Sequence, residues 1–306
     1  MKSIPSKQIR SKIDGILLLD KPLHMTSNGV LQRVKRLFAA KKAGHTGSLD
    51  PLASGMLPIC FGEATKVSQF LLDSDKYYRA TIKLGIKTTT GDAEGEVIST
   101  RVVGDLTTDV VMGVLNTFLG EIQQIPPMFS ALKFQGKPLY ELARKGIEIE
   151  RKPRTIRIHA LNQVMYERDI LVLDVHCSKG TYIRTLAEDI GEALGCGAHV
   201  AGLHRTAVAP YEKNCMFSLA ELETQCTQFG SESLLQYLLP IDTSVQHLLP
   251  VNLTASATFY MRMGQSVMVS GSPKEGWVRI FSDSGRFMGI GEIASDGRVT
   301  PRRLVQ

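Results

Sequence analysis

GHTGSLDPLASGMLPICFGEATK, residues 44–66, is the stretch from which the fold is read. Its opening holds Gly44, Gly47 and Gly55 together with His45, Asp50 and Pro51. Glycine, proline and short polar side chains favour turn geometries over helix or ladder, so residues 44–55 read as an ordered loop. Leu57–Phe61 then reads as a strand and Glu63–Leu72 as a helix. Pro51 restricts the preceding Asp50 to extended backbone. A carboxylate held that way can serve as a nucleophile or an electrostatic stabiliser. Taken alone, an Asp before Pro more commonly just starts an Asx-turn.

Outward from that loop, periodicity assigns the neighbours. Ile16–Leu19 is a short apolar run that stops at Asp20-Lys21-Pro22, as a buried strand does. Ser27 or Asn28 is placed to cap a helix with Val30, Leu31, Val34, Leu37 and Phe38 on one face. Arg33, Lys35 and Arg36 fall largely on the other. Downstream, Tyr77–Leu84 alternates as a strand, Thr88–Glu96 is a polar turn, and Val110–Phe118 reads as a helix. Ile156–Val164 and Ile170–Cys177 suggest a hairpin across Glu167–Asp169. Thr181 opens a helix with Ile183, Leu186, Ala187, Ile190 and Leu194 on one face, and Val200–Val208 follows as a strand. Ser218–Gln228 and Leu234–Leu239 read as helices. From Pro250 the expected strands are short (Gln265–Val269, Trp277–Phe281, Phe287–Ile293), which suggests a small β-rich module.

Length and composition agree with a folded protein. At roughly 150 residues per domain, 306 residues suggest two domains. With 43% hydrophobic and 22% charged residues, the chain is neither a disordered polymer nor a collagen-like fibre. No apolar run approaches the roughly 18 residues a membrane-spanning helix needs. The net charge of +6 is unevenly spread. Residues 1–42 carry Lys2, Lys7, Arg10, Lys12, Lys21, Arg33, Lys35, Arg36, Lys41 and Lys42 against Asp14 and Asp20, a local +8, and the remainder is −2. Residues 1–12 read as a basic, flexible tail. A second basic stretch, residues 126–154, opens with Pro126-Pro127, carries Lys133, Lys137, Arg144, Lys145, Arg151 and Lys152, and has room for one or two helical turns at Tyr140–Lys145. Local positive charge is a footprint for a phosphate backbone or simply a solvated face.

Cys60, Cys177, Cys196, Cys215 and Cys226 are an odd, scattered set without a disulfide pattern, and no apolar leader precedes a cleavage site. A reducing, cytoplasmic compartment is the expectation. Cys196 and His199 have C-x-x-H spacing with no second pair, so buried structural cysteine is preferred to zinc. Phosphate-loop, dinucleotide, nucleophile-elbow and zincin motifs are missing, which lowers the weight of ATP hydrolysis, hydride transfer and zinc proteolysis.

Several long segments, in order, resemble the TruB-type tRNA pseudouridine synthases. They are LLLDKPLHMTSN (17–28), the 44–66 stretch, QIPPMFSALKFQGKPLYELARKG (124–146) and HCSKGTYIRTLAEDIGEALGCGAHVAGLHRT (176–206). FMGIGEIASDGRVTPRRL (287–304) looks like the end of a PUA module. The resemblance implies an α/β (α+β) catalytic domain over 13–249 with a mixed, largely antiparallel sheet, 126–154 being a tRNA-gripping insertion. It implies a PUA-like β-barrel over 250–306. The implied reaction converts uridine to pseudouridine at position 55, in the T-loop of tRNA, without a cofactor, a metal or an obligate protein partner, by a monomer. Asp50 matches the family's catalytic aspartate, Tyr78 the tyrosine that stacks on the extruded base, and Arg184 the arginine that pairs with the aspartate. Tyr182 and Leu203 match pocket-lining residues, His45 a histidine that contacts the T-loop, and Lys21 and Pro22 a motif supporting the catalytic loop. Lys133, Lys137, Arg144, Lys145, Arg151 and Lys152 would grip phosphates.

The residue types suit that chemistry. Base and ribose belong to one nucleotide, so the isomerisation needs no redox or energy cofactor. A stacked base must be flipped out to be reached, and an aromatic face holds it by about 1–3 kcal/mol of stacking. A guanidinium beside a carboxylate favours its charged form and aims it. Two rivals stay open at the level of sequence. One is an RNA-binding protein that remodels tRNA without chemistry, and the other is the catalytic subunit of a guide-RNA complex on the same fold.

Overall fold

Residues 11–211 and 216–306 are described in a computed structural model of the chain. Lys2, Lys7, Arg10 and Cys215 lie outside the described residues. In chain order the elements are β1 (Gly15–Lys21), α1 (Ser27–Leu37), β2 (Ala43–His45), β3 (Ala53–Phe61), α2 (Ser68–Asp73), β4 (Lys76–Leu84), β5 (Ile86–Thr88) and β6 (Val97–Thr100). There follow α3 (Thr108–Thr117), β7 (Gly120–Gln124), β8 (Lys133–Phe134), β9 (Lys137–Pro138), α4 (Leu139–Ala143), β10 (Arg154–Glu167), β11 (Ile170–Cys177), α5 (Ile183–Ala193) and β12 (Ala198–Val208). The last are β13 (Phe217–Ser218), α6 (Leu219–Phe229), β14 (Leu249–Asn252), α7 (Ala255–Arg262), β15 (Gly276–Phe281), β16 (Phe287–Ile293) and β17 (Val299–Leu304).

The chain divides into two compact units. One comprises residues 50–55 and 74–208 and carries the order β3-β12-β4-β11-β10-β7. Every pairing here is antiparallel except β3 with β12, so the sheet is mixed and largely antiparallel. The β10–β11 hairpin turns at Arg168, in left-handed backbone at φ +56°. Alternation in β4 and β11 sends Ala80, Ile82, Leu84, Leu171, Leu173 and Val175 into one core. That core is closed by Ile183, Leu186, Ala187 and Ile190 of α5 and by Val111 and Leu115 of α3.

The other unit comprises residues 1–49, 56–73 and 209–306. Strands β13, β1 and β3 are neighbours, with β2 antiparallel on β3. Their apolar faces pack on Val30, Leu31, Val34 and Phe38 of α1 and on Leu219 and Leu222 of α6. The helix α1 is capped by Thr26, whose hydroxyl accepts from Gly29 N, one residue before the expected Ser27 or Asn28. Ser27 is instead a buried helical residue with another task. The C-terminal sheet runs β14-β15-β16-β17 over a core of Val251, Met261, Val278, Ile280 and Val299. Sequence periodicity missed α7 and β17, and Gln265–Val269 forms only a single bridge, Val267 to Val299, rather than a strand. Among the described residues no helix is long and apolar enough to cross a membrane.

Candidate functional site

Asp50 heads the segment that leads into β3. Its carbonyl accepts from Ala53 N at 3.0 Å, closing a tight turn over Pro51 and Leu52. Three residues on, Ala53 enters a parallel pairing with Leu203 of β12, and Gly55 pairs with Arg205. Gly55 has φ +101°, and a Cβ there would meet Arg205 O at 2.2 Å and Arg205 N at 2.8 Å. Only glycine lets the two strands come this close. The turn is thereby registered against β12.

Arg184 lies in the first turn of α5, and its side chain is 9% exposed. Nη2 lies 3.1 Å from Asp50 Oδ2 and donates to Phe129 O at 2.7 Å. Nη1 donates to Thr90 O at 3.0 Å and lies 3.4 Å from Asp92 Oδ2. The guanidinium is therefore shared between two carboxylates and two carbonyls rather than forked onto Asp50 alone. Asp92 is buried, and its Oδ1 accepts from Thr90 Oγ1 at 2.5 Å and Glu94 N at 3.1 Å. The two acids differ in access. The Asp50 side chain is 46% exposed and the Asp92 side chain 4%. One carboxylate faces outward while the other anchors the cation behind it.

Tyr78 sits mid-strand in β4, opposite Val175 of β11 and Arg205 of β12. It is half-buried against the core that Leu52 and Leu203 also border. Burial pushes its phenol up. The Arg205 guanidinium, which also hydrogen-bonds the hydroxyl, pulls it back, and the Asp50 charge adds a smaller upward push. Tyr182 caps α5, where Gln124 of β7 clasps its backbone: Nε2 donates to Tyr182 O at 3.1 Å and Oε1 accepts from Tyr182 N at 2.8 Å. Burial likewise raises the Tyr182 phenol, with Asp50 contributing in the same sense. Leu203 lies between Ala53 and Ala80 in register. Asp50, Tyr78, Tyr182, Arg184 and Leu203 thus belong to one unit.

Sequence reasoning missed three residues of this arrangement. Asp92 lies inside Thr88–Glu96, which the sequence presents only as a polar turn. Arg205 is a fully buried cation in β12, a stretch that reads simply as a strand. Gln124 closes β7. Only Gln124 carried a local signal, a polar side chain on the same face of β7 as Ile122, which demands a partner when buried.

His45, Lys21 and Pro22 belong to the other unit. His45 ends β2 opposite Ile59 and is half-buried. Lys21 is fully buried, and its ammonium donates to Pro22 O at 2.8 Å and Met25 O at 2.7 Å, bracing the turn before α1. Ser27, first in α1, both donates to Leu49 O at 2.9 Å and accepts from Leu49 N at 2.8 Å. Leu49 is joined directly to Asp50.

The basic segment 126–154 forms a small hairpin, β8–β9, turning at Gln135 and Gly136 with φ +49° and +81°. Leu139 of α4 is buried, and its backbone N donates to Leu132 O at 2.7 Å. Lys133, Lys137, Arg144, Lys145 and Lys152 are exposed. Arg144 lies over the Tyr140 ring at 5.5 Å. Arg151 differs: its guanidinium donates to Ile149 O, Pro126 O and Glu148, stapling the ends of the segment together.

The TruB family pseudouridylate synthase N-terminal domain profile matches residues 35–183. The tRNA pseudouridylate synthase B C-terminal domain profile matches 184–246, and the pseudouridine synthase II TruB C-terminal profile matches 250–305. A tRNA pseudouridine synthase B of Coxiella burnetii (strain RSA 493) is 53% identical over 98% of this chain and 97% of its own length. Its counterpart in Yersinia pestis (strain Pestoides F) is 55% identical over 96% and 92%. Among solved structures, a Cbf5-Nop10-Gar1 complex contains a chain with TM-score 0.73 and 27% identity, covering 95% of this chain and 84% of that one. An H/ACA RNP bound to a substrate RNA gives TM-score 0.72 and 26% identity, covering 95% and 84%.

Proposed function

The chain belongs to the TruB family of pseudouridylate synthases, and from that premise we propose that it isomerises the uridine at position 55 in the T-loop of tRNA. The observation that carries this reading is the Asp50–Arg184 pair, a half-exposed carboxylate aimed by a guanidinium that is itself pinned from behind. In the proposed sequence the target nucleotide leaves the stack and its base rests on the Tyr78 ring, with Leu203 and Tyr182 bounding the pocket. Asp50 attacks or electrostatically supports the centre undergoing glycosidic exchange. The N-glycosidic bond breaks, the base turns, and a C-glycosidic bond forms. The proton displaced from carbon is lost and the former glycosidic nitrogen gains one, so no cofactor is consumed. A raised Tyr78 phenol stays protonated at neutral pH and is available as a donor.

His45 is assigned to T-loop contact and Lys21 with Pro22 to support of the approach loop. Lys133, Lys137, Arg144, Lys145 and Lys152 face solvent as phosphate contacts for the T-stem-loop, with Arg151 holding their segment together. Residues 250–306 are assigned as a PUA-like RNA-binding module, and the enzyme as a cytoplasmic monomer. The resemblance to the Cbf5 chains keeps a guide-RNA partner as a second reading, but identity to the tRNA pseudouridine synthase B relatives is about twice as high.

The test uses an unmodified tRNA transcript and the protein alone. Pseudouridine is expected at position 55 without added RNA, protein or cofactor. Asp50→Asn should bind the transcript with near-native affinity and form no product. Full activity in Asp50→Asn would sink the assignment, and a requirement for a second RNA would favour the guide-RNA reading.

A further inference from the structure

Three polar side chains outside the Asp50 site converge on one point. Asp75 immediately precedes β4, His176 lies in β11 and His159 in β10, so two neighbouring strands and the residue leading into a third each bring one. Nε2 of His159 and Nε2 of His176 lie 3.2 Å and 3.5 Å from the same atom, Asp75 Oδ2. All three candidate donor atoms fall within 4.8 Å of one another. Ligands about 2.0–2.1 Å from a tetrahedral zinc ion stand roughly 3.3 Å apart along the tetrahedron's edges. The two nitrogen–oxygen spacings already approximate two such edges.

The strand geometry explains how the histidines meet. Ile158 pairs with Cys177 and Ala160 with His176, so His159 is the additional residue of a β-bulge. A bulge re-aims its side chain, and the His159 ring comes to 4.5 Å from that of His176. Pairing of β7 with β10 stops at Ile158, so the bulge lies where β10 loses its outer neighbour. On the inner side, Tyr77 is the register partner of His176 and stacks on it at 4.1 Å and 13°, fixing the plane of the imidazole. Asp75 and His176 are half-buried and His159 is exposed, which leaves an approach from solvent. Tyr77 and Tyr78 are consecutive in β4, so their side chains leave opposite faces of the sheet. The cluster is therefore separate from the Asp50 site.

We propose that Asp75, His159 and His176 form a three-ligand site for a zinc-class divalent cation, with its remaining position filled by water. Two imidazoles and one carboxylate suit zinc, cobalt, nickel or copper. Magnesium and calcium prefer oxygen throughout.

The test titrates chelator-treated full-length protein with Co2+, followed by visible absorbance, and then adds Zn2+ in competition. One equivalent of Co2+ should bind with a ligand-field band that Zn2+ abolishes. His159→Gln and Asp75→Asn should each weaken Co2+ binding by at least about 10-fold, the loss that even outer-shell changes produce. Zn2+ should raise the thermal midpoint of the wild type and leave that of His159→Gln unmoved, because a ligand that binds only the native state stabilises it. Since His159 is exposed, a native circular dichroism spectrum is expected for that variant. Absence of a Co2+ band in the wild type would overturn the proposal. So would wild-type affinity in both variants, which would place the metal on other histidines.

Discussion

Arg184 shows how a single residue's surroundings decide its chemistry. A buried guanidinium is costly unless its donors are matched, and here two carbonyls and two carboxylates match them. Asp92 is the partner that leaves Asp50 its exposure. Asp92→Asn keeps the shape and removes the charge. Hydrogen bonds to charged groups contribute about 1.5–3 kcal/mol. If that orientation fails to reach the transition state, the single-turnover rate of pseudouridine formation falls about 10- to 100-fold. Affinity for tRNA, measured by filter binding, is expected to change little, because Asp92 is buried. An unchanged single-turnover rate would show that Asp92 does not aim Arg184. The residue scale is also where the sequence was least informative. Asp50, between glycines and before proline, announces itself by local backbone chemistry. Asp92 and Arg205 do not, because their significance lies in partners about 90 and 130 residues away in the chain. No local pattern encodes such a partner.

Elements were more legible, for a physical reason. The period of two in β4 and β11 and the apolar face of α5 are written in consecutive residues, and burial then follows. Legibility failed where a short element is settled by tertiary contact. Thr26 rather than Ser27 caps α1 because Ser27 is turned inward to Leu49, and the C-terminal bridge at Val267 is fixed by its partner Val299. Helix α1 therefore does more than cover a sheet. Its first side chain satisfies both backbone groups of Leu49, the residue before Asp50. Ser27→Ala would leave a buried N–H and a buried C=O without that partner, a loss of about 1–3 kcal/mol for each. Equilibrium urea unfolding should show this as a lower midpoint. Pseudouridine formation should fall further than this loss of folded protein explains, because the Asp50 approach loses its tether. A variant as active and as stable as the wild type would mean that Leu49 is held by other contacts.

At the scale of the whole molecule, each compact unit has a buried thiol whose proton is held more tightly by burial, Cys60 in one and Cys177 in the other. Desolvation by burial pushes each from 9.0 up to about 12. Burial raises the Tyr78, Tyr166, Tyr182 and Tyr211 phenols as well. Every one of these groups keeps its proton longer when folded than when unfolded. Below pH 9 both states hold the thiol protons, and their contribution is fully present. Above pH 9 the unfolded chain releases protons that the folded chain retains, so stability falls as pH rises toward 12. Each such group steepens the fall by about 1.4 kcal/mol per pH unit over its window. The cysteines open that window about one unit before the tyrosines, whose ordinary value is 10.0. Urea midpoints measured from pH 7 to 11 under reductant should therefore be flat to pH 9 and decline beyond it. Cys60→Ala lowers stability at every pH by opening a cavity, but the slope is the informative quantity. It should lessen by up to one group between pH 9 and 10. Cys177→Ala should do the same. An unaltered slope in both variants would mean that the buried thiols titrate alike folded and unfolded, and would overturn this account of the alkaline loss.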